Sequence, residues 1–247
     1  MISTEHVLEE LVQQEWQEKQ EVLTNFLANR EKIQNSPEFK MAFNLTDRTI
    51  RCVDEGTPGG LHCAGSCILL GLENALARLK TANADGITSH EGCGAAVAYC
   101  KTAGIDPSLA DTVAREWAQK LAQASGLPYK GHITAEQMAR PVEMHNAVCA
   151  YYDDTGQMNP ALLKILPPGF VVSRKYFGGD DLDLCIQIAL GDHGFGKRFS
   201  KENPFYVFAV SGNNNSEFSA EELAAEARAT VEKYNGRVAL ESIILPV

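Results

Sequence analysis

Two cysteines, a histidine and an aspartate stand where they could together hold and use a metal ion. Cys52 and Asp54 lie two residues apart at the end of a segment, 48–54, that has the pattern of a β-strand, so both side chains leave the same face. His90 and Cys93 lie three residues apart where a second predicted strand gives way to a helix. Thiolates and imidazole suit zinc, and three protein ligands leave a fourth position open for water. A metal there would lower the pKa of that water toward about 7.

The elements around these residues predict how they come together. From residue 47 onward, short apolar segments alternate with amphipathic ones, which indicates an α/β fold with a mostly parallel sheet flanked by helices. In such sheets the carboxyl ends of neighbouring strands face a common crevice. If the strands over 48–54 and 85–89 are neighbours, Cys52, His90 and Cys93 converge there. Spacing alone also allows the two cysteines to be small buried apolar residues.

The chain divides into an N-terminal helical extension, residues 1–45, and an α/β domain, residues 46–247, and it shows no internal repeat. A glycine-rich turn over 56–60 is expected to lead into an apolar helix that runs to about residue 80. The other predicted helices cover 4–34, 93–102, a segment from Asp106-Pro107 to Gly126, and 219–234. The predicted strands cover 48–54, 85–89, 147–152, 170–173, 184–190, 205–210 and 237–245.

Composition narrows the class of function. The 247 residues include 22 basic and 32 acidic side chains, a formal charge of −10, which argues against nonspecific binding of nucleic acid. No apolar run approaches the roughly 20 residues of a membrane helix, and the charged N-terminus is not a secretory signal, so we expect no membrane partner. Seven cysteines are too few for a disulfide scaffold. They indicate a reducing compartment and hence a cytoplasmic protein.

The same residues resemble a known family. Cys-x-Asp at a strand end, followed later by His-x-x-Cys-Gly, resembles the zinc site of β-class carbonic anhydrases. The chain is more similar still to the ζ-class, or cadmium carbonic anhydrase, domains, and the likeness covers roughly residues 47–247. The segments that carry it are Cys52-Val53-Asp54, Pro58-Gly59-Gly60, His90 with Cys93-Gly94, Glu143-Met144-His145 and Ile243-Ile244-Leu245-Pro246.

The resemblance implies a β-carbonic-anhydrase-like fold and a lyase that reversibly hydrates carbon dioxide to bicarbonate by a metal-bound hydroxide. It implies that Cys52, His90 and Cys93 bind Zn²⁺, with Cd²⁺ as the alternative ion, and that Asp54 is the acid/base or gating residue. The substrate would be the small molecule CO₂ or bicarbonate. The N-terminal helix packs either on the body of the chain or on a partner subunit, which leaves a homo-oligomer open.

The sequence departs from that family at two points. The spacing from His90 to Cys93 is that of the β class rather than the longer one of the ζ class. The arginine that both classes place two residues after the aspartate, where it holds the carboxylate away from the metal, is Gly56 here. Arg51 should point to the opposite face of the strand. Either a distant cation takes over that role, or Asp54 closes the site as a fourth ligand.

Three functions therefore stay open at the level of sequence. The first is carbonic anhydrase activity, and the second is hydrolysis of a related small substrate such as carbon disulfide. The third is a noncatalytic metal-binding or regulatory protein of the same fold, which the glycine at position 56 favours.

A second Cys/His cluster lies just after the glycine-rich turn. Cys63 and Cys67 are four residues apart, with His62 beside them. Core packing of the two cysteines is favoured over a second metal site, and His62 is a candidate for the mouth of the pocket. The amides of the turn could hold an anion such as bicarbonate at the start of the predicted helix. A tight turn without a ligand is the alternative.

Overall fold

The computed structural model of the protein describes residues 4–55, 59–138, 146–159, 164–191, 194–212 and 216–245. Within these ranges, eight strands form two four-stranded sheets, and every pair of neighbouring strands is parallel. Helices flank the sheets, and a long helix precedes them in the chain. The predicted fold class, α/β with parallel strands, flanking helices and an N-terminal helix, is confirmed.

Helices connect most of the strands, as parallel pairing requires, because a crossover between parallel strands needs about a dozen residues or more. The strands are β1 (Thr49–Arg51), β2 (Leu61–His62), β3 (Gly86–His90), β4 (Tyr129–Ile133), β5 (Cys149–Asp153), β6 (Gly169–Val172), β7 (Phe205–Gly212) and β8 (Val238–Leu245). The helices are α1 (Thr4–Ala28), α2 (Arg30–Gln34), α3 (Pro37–Lys40), α4 (Leu72–Ala82), α5 (Gly94–Ala103), α6 (Ala110–Ser125), α7 (Arg174–Phe177), α8 (Asp181–Ala189) and α9 (Ala220–Val231).

The two sheets have the same strand order. The first runs β2-β1-β3-β4 and the second runs β6-β5-β7-β8. In each sheet, the strands that come first and third in the sequence lie inside, and those that come second and fourth lie at the edges. The two halves of the chain therefore build the same arrangement, although the sequence shows no repeat. In the first sheet, the neighbouring residues Ile50 and Ile87 of β1 and β3 are fully buried.

The N-terminal helix packs against aromatic side chains of the second half. Trp16 on α1 meets Phe195 and Phe199 edge to face, with ring centroids 5.1 Å apart in both pairs. Phe26 meets Phe208 at 5.3 Å. Such aromatic pairs contribute roughly 0.5–1.5 kcal/mol each beyond the burial of apolar area. Among the described helices, α1 included, none combines the length and the apolar character needed to cross a bilayer.

One predicted strand is wrong. The segment 184–190 lies mostly in helix α8, which ends at residue 189. Its buried side chains, Leu182, Cys185, Ile186 and Ala189, recur at helical spacing. A short apolar run does not distinguish a buried strand from a buried helix, and here the period of 3.6 residues fits the burial. The other six predicted strands coincide with β1, β3, β5, β6, β7 and β8 to within a few residues.

Strands β2 and β4, and the segment between β2 and α4, were not predicted from the sequence. Strand β2 has only two residues, and β4 has the polar sequence YKGHI at a sheet edge. The helix expected directly after the glycine-rich turn begins later, because the chain first forms β2, a tight turn over 63–67 and a 3₁₀ turn at Ile68–Leu70. The single helix predicted over 4–34 is divided into α1 and α2.

Candidate metal centre

The carboxyl ends of β1 and β3 bring the three predicted ligands together. The two strands are parallel neighbours, with Ile50 paired to Ile87. Cys52 follows β1 directly, His90 ends β3, and Cys93 precedes α5. The ligand atoms of these three residues lie within 4.8 Å of one another. The cluster could therefore hold a metal ion, at the edge of the sheet where the sequence predicts one.

The distance between the sulfurs fits a tetrahedral site. The Sγ atoms of Cys52 and Cys93 lie 3.8 Å apart although 41 residues separate them in sequence. Two Zn–S bonds of about 2.3 Å at a tetrahedral angle place their sulfurs roughly 3.8 Å apart. The spacing of the two thiols is thus compatible with two sulfur ligands of one metal ion.

The histidine presents a free ring nitrogen. His90 Nδ1 lies 2.8 Å from the carbonyl oxygen of Glu91, and a proton on Nδ1 satisfies that oxygen. Nε2 is buried and has no hydrogen-bond partner within the described ranges. A buried polar atom without a hydrogen-bond partner costs free energy, so a ligand bound to Nε2 would stabilise this arrangement. A metal ion is the ligand that two neighbouring thiols also select.

Burial and mutual charge shift the protonation of this cluster. Cys52, His90 and Cys93 are each at most 2% exposed. A hydrogen bond from the Cys93 thiol, together with the charge of His90, holds the pKa of Cys52 well below its usual value. The same hydrogen bond raises the pKa of Cys93. Burial, the largest single effect, opposes protonation of His90, but the interactions with the Cys52 thiolate and the charges of Asp54 and Glu55 together outweigh it and raise the pKa of His90 to about 9.

Asp54 lies beside the ligands without joining them. Its side chain is buried, and its charge contributes to the raised pKa values of both His90 and Cys93. The ligand group found among the described residues consists of Cys52, His90 and Cys93 and does not include Asp54. This arrangement favours a three-ligand site over one that Asp54 closes.

Arg51 is held by carboxylates on its own segment. Its Nη2 donates to Asp47 Oδ2 at 3.2 Å, and its Nη1 donates to Glu55 Oε1 at 2.5 Å. Glu55 is fully buried, and its other oxygen accepts from the Thr88 hydroxyl. Glu55 is a buried charge near the site that the sequence reasoning missed, since only packing shows that it faces inward. Gly56, the position of the family's arginine, lies outside the described residues.

The second Cys/His cluster belongs to the core. Cys63 and Cys67 are fully buried, and the described residues place neither in a metal-ligand group. The ring nitrogens of His62 lie 3.1 Å from the carbonyl oxygen of Cys52 and 3.0 Å from that of Gly59. His62 therefore braces the segment that carries Cys52 and Asp54. Residues 61 and 62 form β2, so no helix begins directly after the glycine-rich turn, and the helix N-terminus that the alternative of an anion site needs is not found there.

A tight turn after β2 contacts Cys52. The backbone N–H of Gly65 donates to Cys52 Sγ at 3.1 Å. The N–H of Ala64 donates to Asp181 Oδ2 at 2.7 Å, and Asp181 begins helix α8 in the second half of the chain. The sequence reasoning missed Asp181, because a strand predicted nearby gave no reason to bring it to this turn.

Comparison with known proteins leaves the family open. No family model matches the chain, and the search of curated proteins and that of solved structures also give no match. Of the segments that carry the resemblance, Pro58, Glu143-Met144-His145 and Pro246 lie outside the described residues. The observations that bear on function are therefore the geometry and chemistry of the cluster itself.

Proposed function

We propose that the protein is a zinc-dependent lyase that reversibly hydrates carbon dioxide to bicarbonate. The observation that carries the proposal is the three-ligand cluster of Cys52, His90 and Cys93, with the Asp54 carboxylate beside it and outside it. Catalytic zinc sites have three protein ligands and an open position, whereas structural sites have four. A resemblance to β- and ζ-class carbonic anhydrases in the same four residues supports the same reaction.

Zinc is the ion that the donor set favours. Two sulfurs and one imidazole nitrogen are soft or borderline ligands, and their spacing suits bonds of about 2.3 Å to sulfur. Cadmium would accept the same soft set. The chemistry that zinc supplies when bound is a water molecule acidic enough to act as a nucleophile near neutral pH.

Asp54 is the residue that we assign to proton handling. Its carboxylate is buried next to His90 and Cys93, where it can accept a hydrogen bond and orient a neighbouring water. Glu55, the next carboxylate along the chain, is bound by Arg51 and Thr88. We assign different roles to the two adjacent acids: Glu55 fixes the segment, and Asp54 handles the proton.

The surroundings suit a small uncharged substrate. Cys52 and Cys93 pack in a cluster with the buried side chains of Ala64, Ile68 and Ala95. Such a wall excludes bulk water and offers no charge of its own, which strengthens the effect of the nearby Asp54 carboxylate. Carbon dioxide is a small uncharged molecule, and apolar surroundings favour such a substrate over a charged one.

A reducing compartment is part of the proposal. All seven cysteines are buried free thiols. Thiolate ligands persist as metal ligands where thiols are kept reduced, so we place the protein in the cytoplasm.

Metal analysis paired with stopped-flow CO₂ hydration tests the function. The wild type should carry one zinc per chain and accelerate hydration above the buffer rate, and Cys93→Ser should lose both. Cys100→Ser is the matched control, because Cys100 is fully buried in the same cluster and lies outside the ligand group. Hydration that survives in Cys93→Ser would contradict the mechanism. Zinc without hydration of CO₂ or hydrolysis of carbon disulfide would favour a noncatalytic metal-binding protein.

A further inference from the structure

The metal cluster lies in the first half of the chain, but one buried acid of the second half reaches toward it. Asp181 is only 5% exposed, and its Oδ2 accepts a hydrogen bond from the N–H of Ala64 at 2.7 Å. Ala64 belongs to the turn over 63–67 that follows β2. The contact joins residues that are 117 positions apart in the sequence.

That turn delivers a hydrogen-bond donor to a proposed metal ligand. The N–H of Gly65, the residue next to Ala64, donates to Cys52 Sγ at 3.1 Å. Three consecutive residues of the turn, Gly65, Ser66 and Cys67, have left-handed backbone angles, with φ of +56°, +50° and +72°. Left-handed angles at residues other than glycine are strained and persist only where the surroundings hold them.

Three side chains anchor the turn in this conformation, in addition to the backbone hydrogen bond from the Cys63 N–H to the carbonyl oxygen of Arg51 at 3.0 Å. The Ser66 hydroxyl donates to the carbonyl oxygen of Thr88 at 2.8 Å, and Trp117 Nε1 donates to the carbonyl oxygen of Ser66 at 3.0 Å. Both come from the first half of the chain and act on Ser66. Asp181 anchors the turn on the opposite side of Gly65. It binds the N–H of Ala64, the residue directly before Gly65.

We propose that Asp181 is a positioning residue of the metal centre, which fixes the 63–67 turn so that the Gly65 N–H points at the Cys52 sulfur. The inference rests on the proposed metal site and adds the second half of the chain to it. A hydrogen bond to a ligating sulfur withdraws electron density from it and fixes its direction, and such outer contacts tune metal affinity. The second half, which has the same strand order but no ligand set among its described residues, thereby contributes to the site of the first.

Cobalt substitution tests this role, because the sulfur-to-cobalt charge-transfer band reports the electron density on the thiolate. Asp181→Ala removes the acceptor, and we expect it to move the band to lower energy and to weaken Co²⁺ binding roughly tenfold or more. Asp181→Asn keeps an oxygen at the same place and should remain close to the wild type. Asp180→Ala is the control, since Asp180 is the exposed acid next in sequence.

The outcomes separate this inference from the proposed function. A wild type that takes up no Co²⁺ contradicts the metal site itself. A folded Asp181→Ala with the band and affinity of the wild type overturns the role of Asp181, as does an Asp181→Asn that is weakened as much as Asp181→Ala. If Asp181→Ala does not fold, NMR of the ¹¹³Cd-loaded proteins decides. A scalar coupling between ¹¹³Cd and the Gly65 amide proton in wild type and Asp181→Asn supports the proposal, and its absence refutes it.

Discussion

His62 and Ser173 join the edges of the two sheets by a pair of hydrogen bonds. The N–H of His62 donates to Ser173 Oγ at 3.0 Å, and the N–H of Ser173 donates to the carbonyl oxygen of His62 at 3.2 Å. His62 ends β2 and Ser173 follows β6, which hold equivalent edge positions in two sheets of the same strand order. The two halves of the chain thus meet at matching edges, next to the turn that contacts the metal cluster.

Loss of the Ser173 hydroxyl should weaken this junction. Ser173→Ala leaves the buried N–H of His62 without its acceptor, and an unsatisfied buried donor costs about 1–3 kcal/mol. We expect a decrease of that size in the free energy of unfolding, measured by urea denaturation. Ser108→Ala, at an exposed serine, should leave the free energy unchanged. Equal stability of the two variants would show that the side-chain bond contributes nothing to the junction.

The role of Asp54 in proton transfer can be tested separately from metal binding. Asp54→Asn keeps the shape of the side chain but removes its ability to take up a proton, and we expect CO₂ hydration to fall about 10²-fold or more while the zinc content stays at one per chain. The measurement combines stopped-flow hydration with metal analysis. Asp47→Asn, which alters a carboxylate bound to Arg51, should retain activity. If zinc affinity fell together with activity in Asp54→Asn, Asp54 would be a fourth ligand instead.

The close approach at Gly65 gives a prediction about the turn. A Cβ at this position would lie 2.5 Å from Ile68 Cγ2 and 3.0 Å from the Cβ of Ala95, so Gly65→Ala must displace the N–H that reaches Cys52. We expect zinc affinity, measured by competition with a chelator, to fall roughly tenfold or more. Gly71→Ala also places a side chain at a positive φ, +73°, but this side chain meets no atom within 4 Å. It should lose some stability and keep its zinc affinity; an equal loss of affinity in both variants would mean that strain alone is responsible.

The proximity of Cys52, His90 and Cys93 was predictable because its determinants are local. Cys52 and Asp54 follow one strand and His90 ends another, and parallel strands that are neighbours align their carboxyl ends. The sequence pattern identified both strands, so proximity of the three ligands followed once the strands were neighbours. The class of the fold was predictable for the same reason, since alternating strands and helices lead to parallel sheets.

The contacts that hold the segments around Cys52 in place were not predictable, because they depend on tertiary packing. Asp181 contacts the 63–67 turn only because α8 lies against the first half, and the sequence suggested a strand where this helix forms. Glu55 is buried through its bonds to Arg51 and Thr88, which the sequence alone does not reveal. The equivalence of the two sheets is likewise a property of strand order rather than of residue identity.

An ion-pair cluster in the second half should make stability depend on pH. Burial opposes ionisation of Glu226, but hydrogen bonds from Arg174 and Tyr152 outweigh it and lower its pKa. Because the pKa of Glu226 is lowered in the folded state, its ionised side chain stabilises the fold above the unfolded-state pKa of about 4.3. This stabilisation is lost as pH falls through the folded-state pKa. Glu226→Gln should therefore be less stable than the wild type at pH 7, with a difference that shrinks below about pH 4 in urea titrations. Glu221→Gln, at an exposed position on the same helix, should show no such trend, and a difference for Glu226→Gln that stays constant with pH would exclude an electrostatic origin.

Removal of the metal should lower the stability of the whole chain. The ligands come from two separate strand ends, and a metal that binds only the folded state stabilises it by about 2.7 kcal/mol at a free concentration 100 times its Kd. For a chain of this length, that free energy corresponds to a decrease in Tm of roughly 5–10 °C when a chelator replaces zinc. Calorimetry of wild type and Cys93→Ser, each with zinc and with chelator, measures the effect. Only the wild type should respond, because Cys93→Ser lacks one of the two sulfurs that set the 3.8 Å spacing; an identical Tm of the wild type in zinc and in chelator would mean that the cluster binds no zinc.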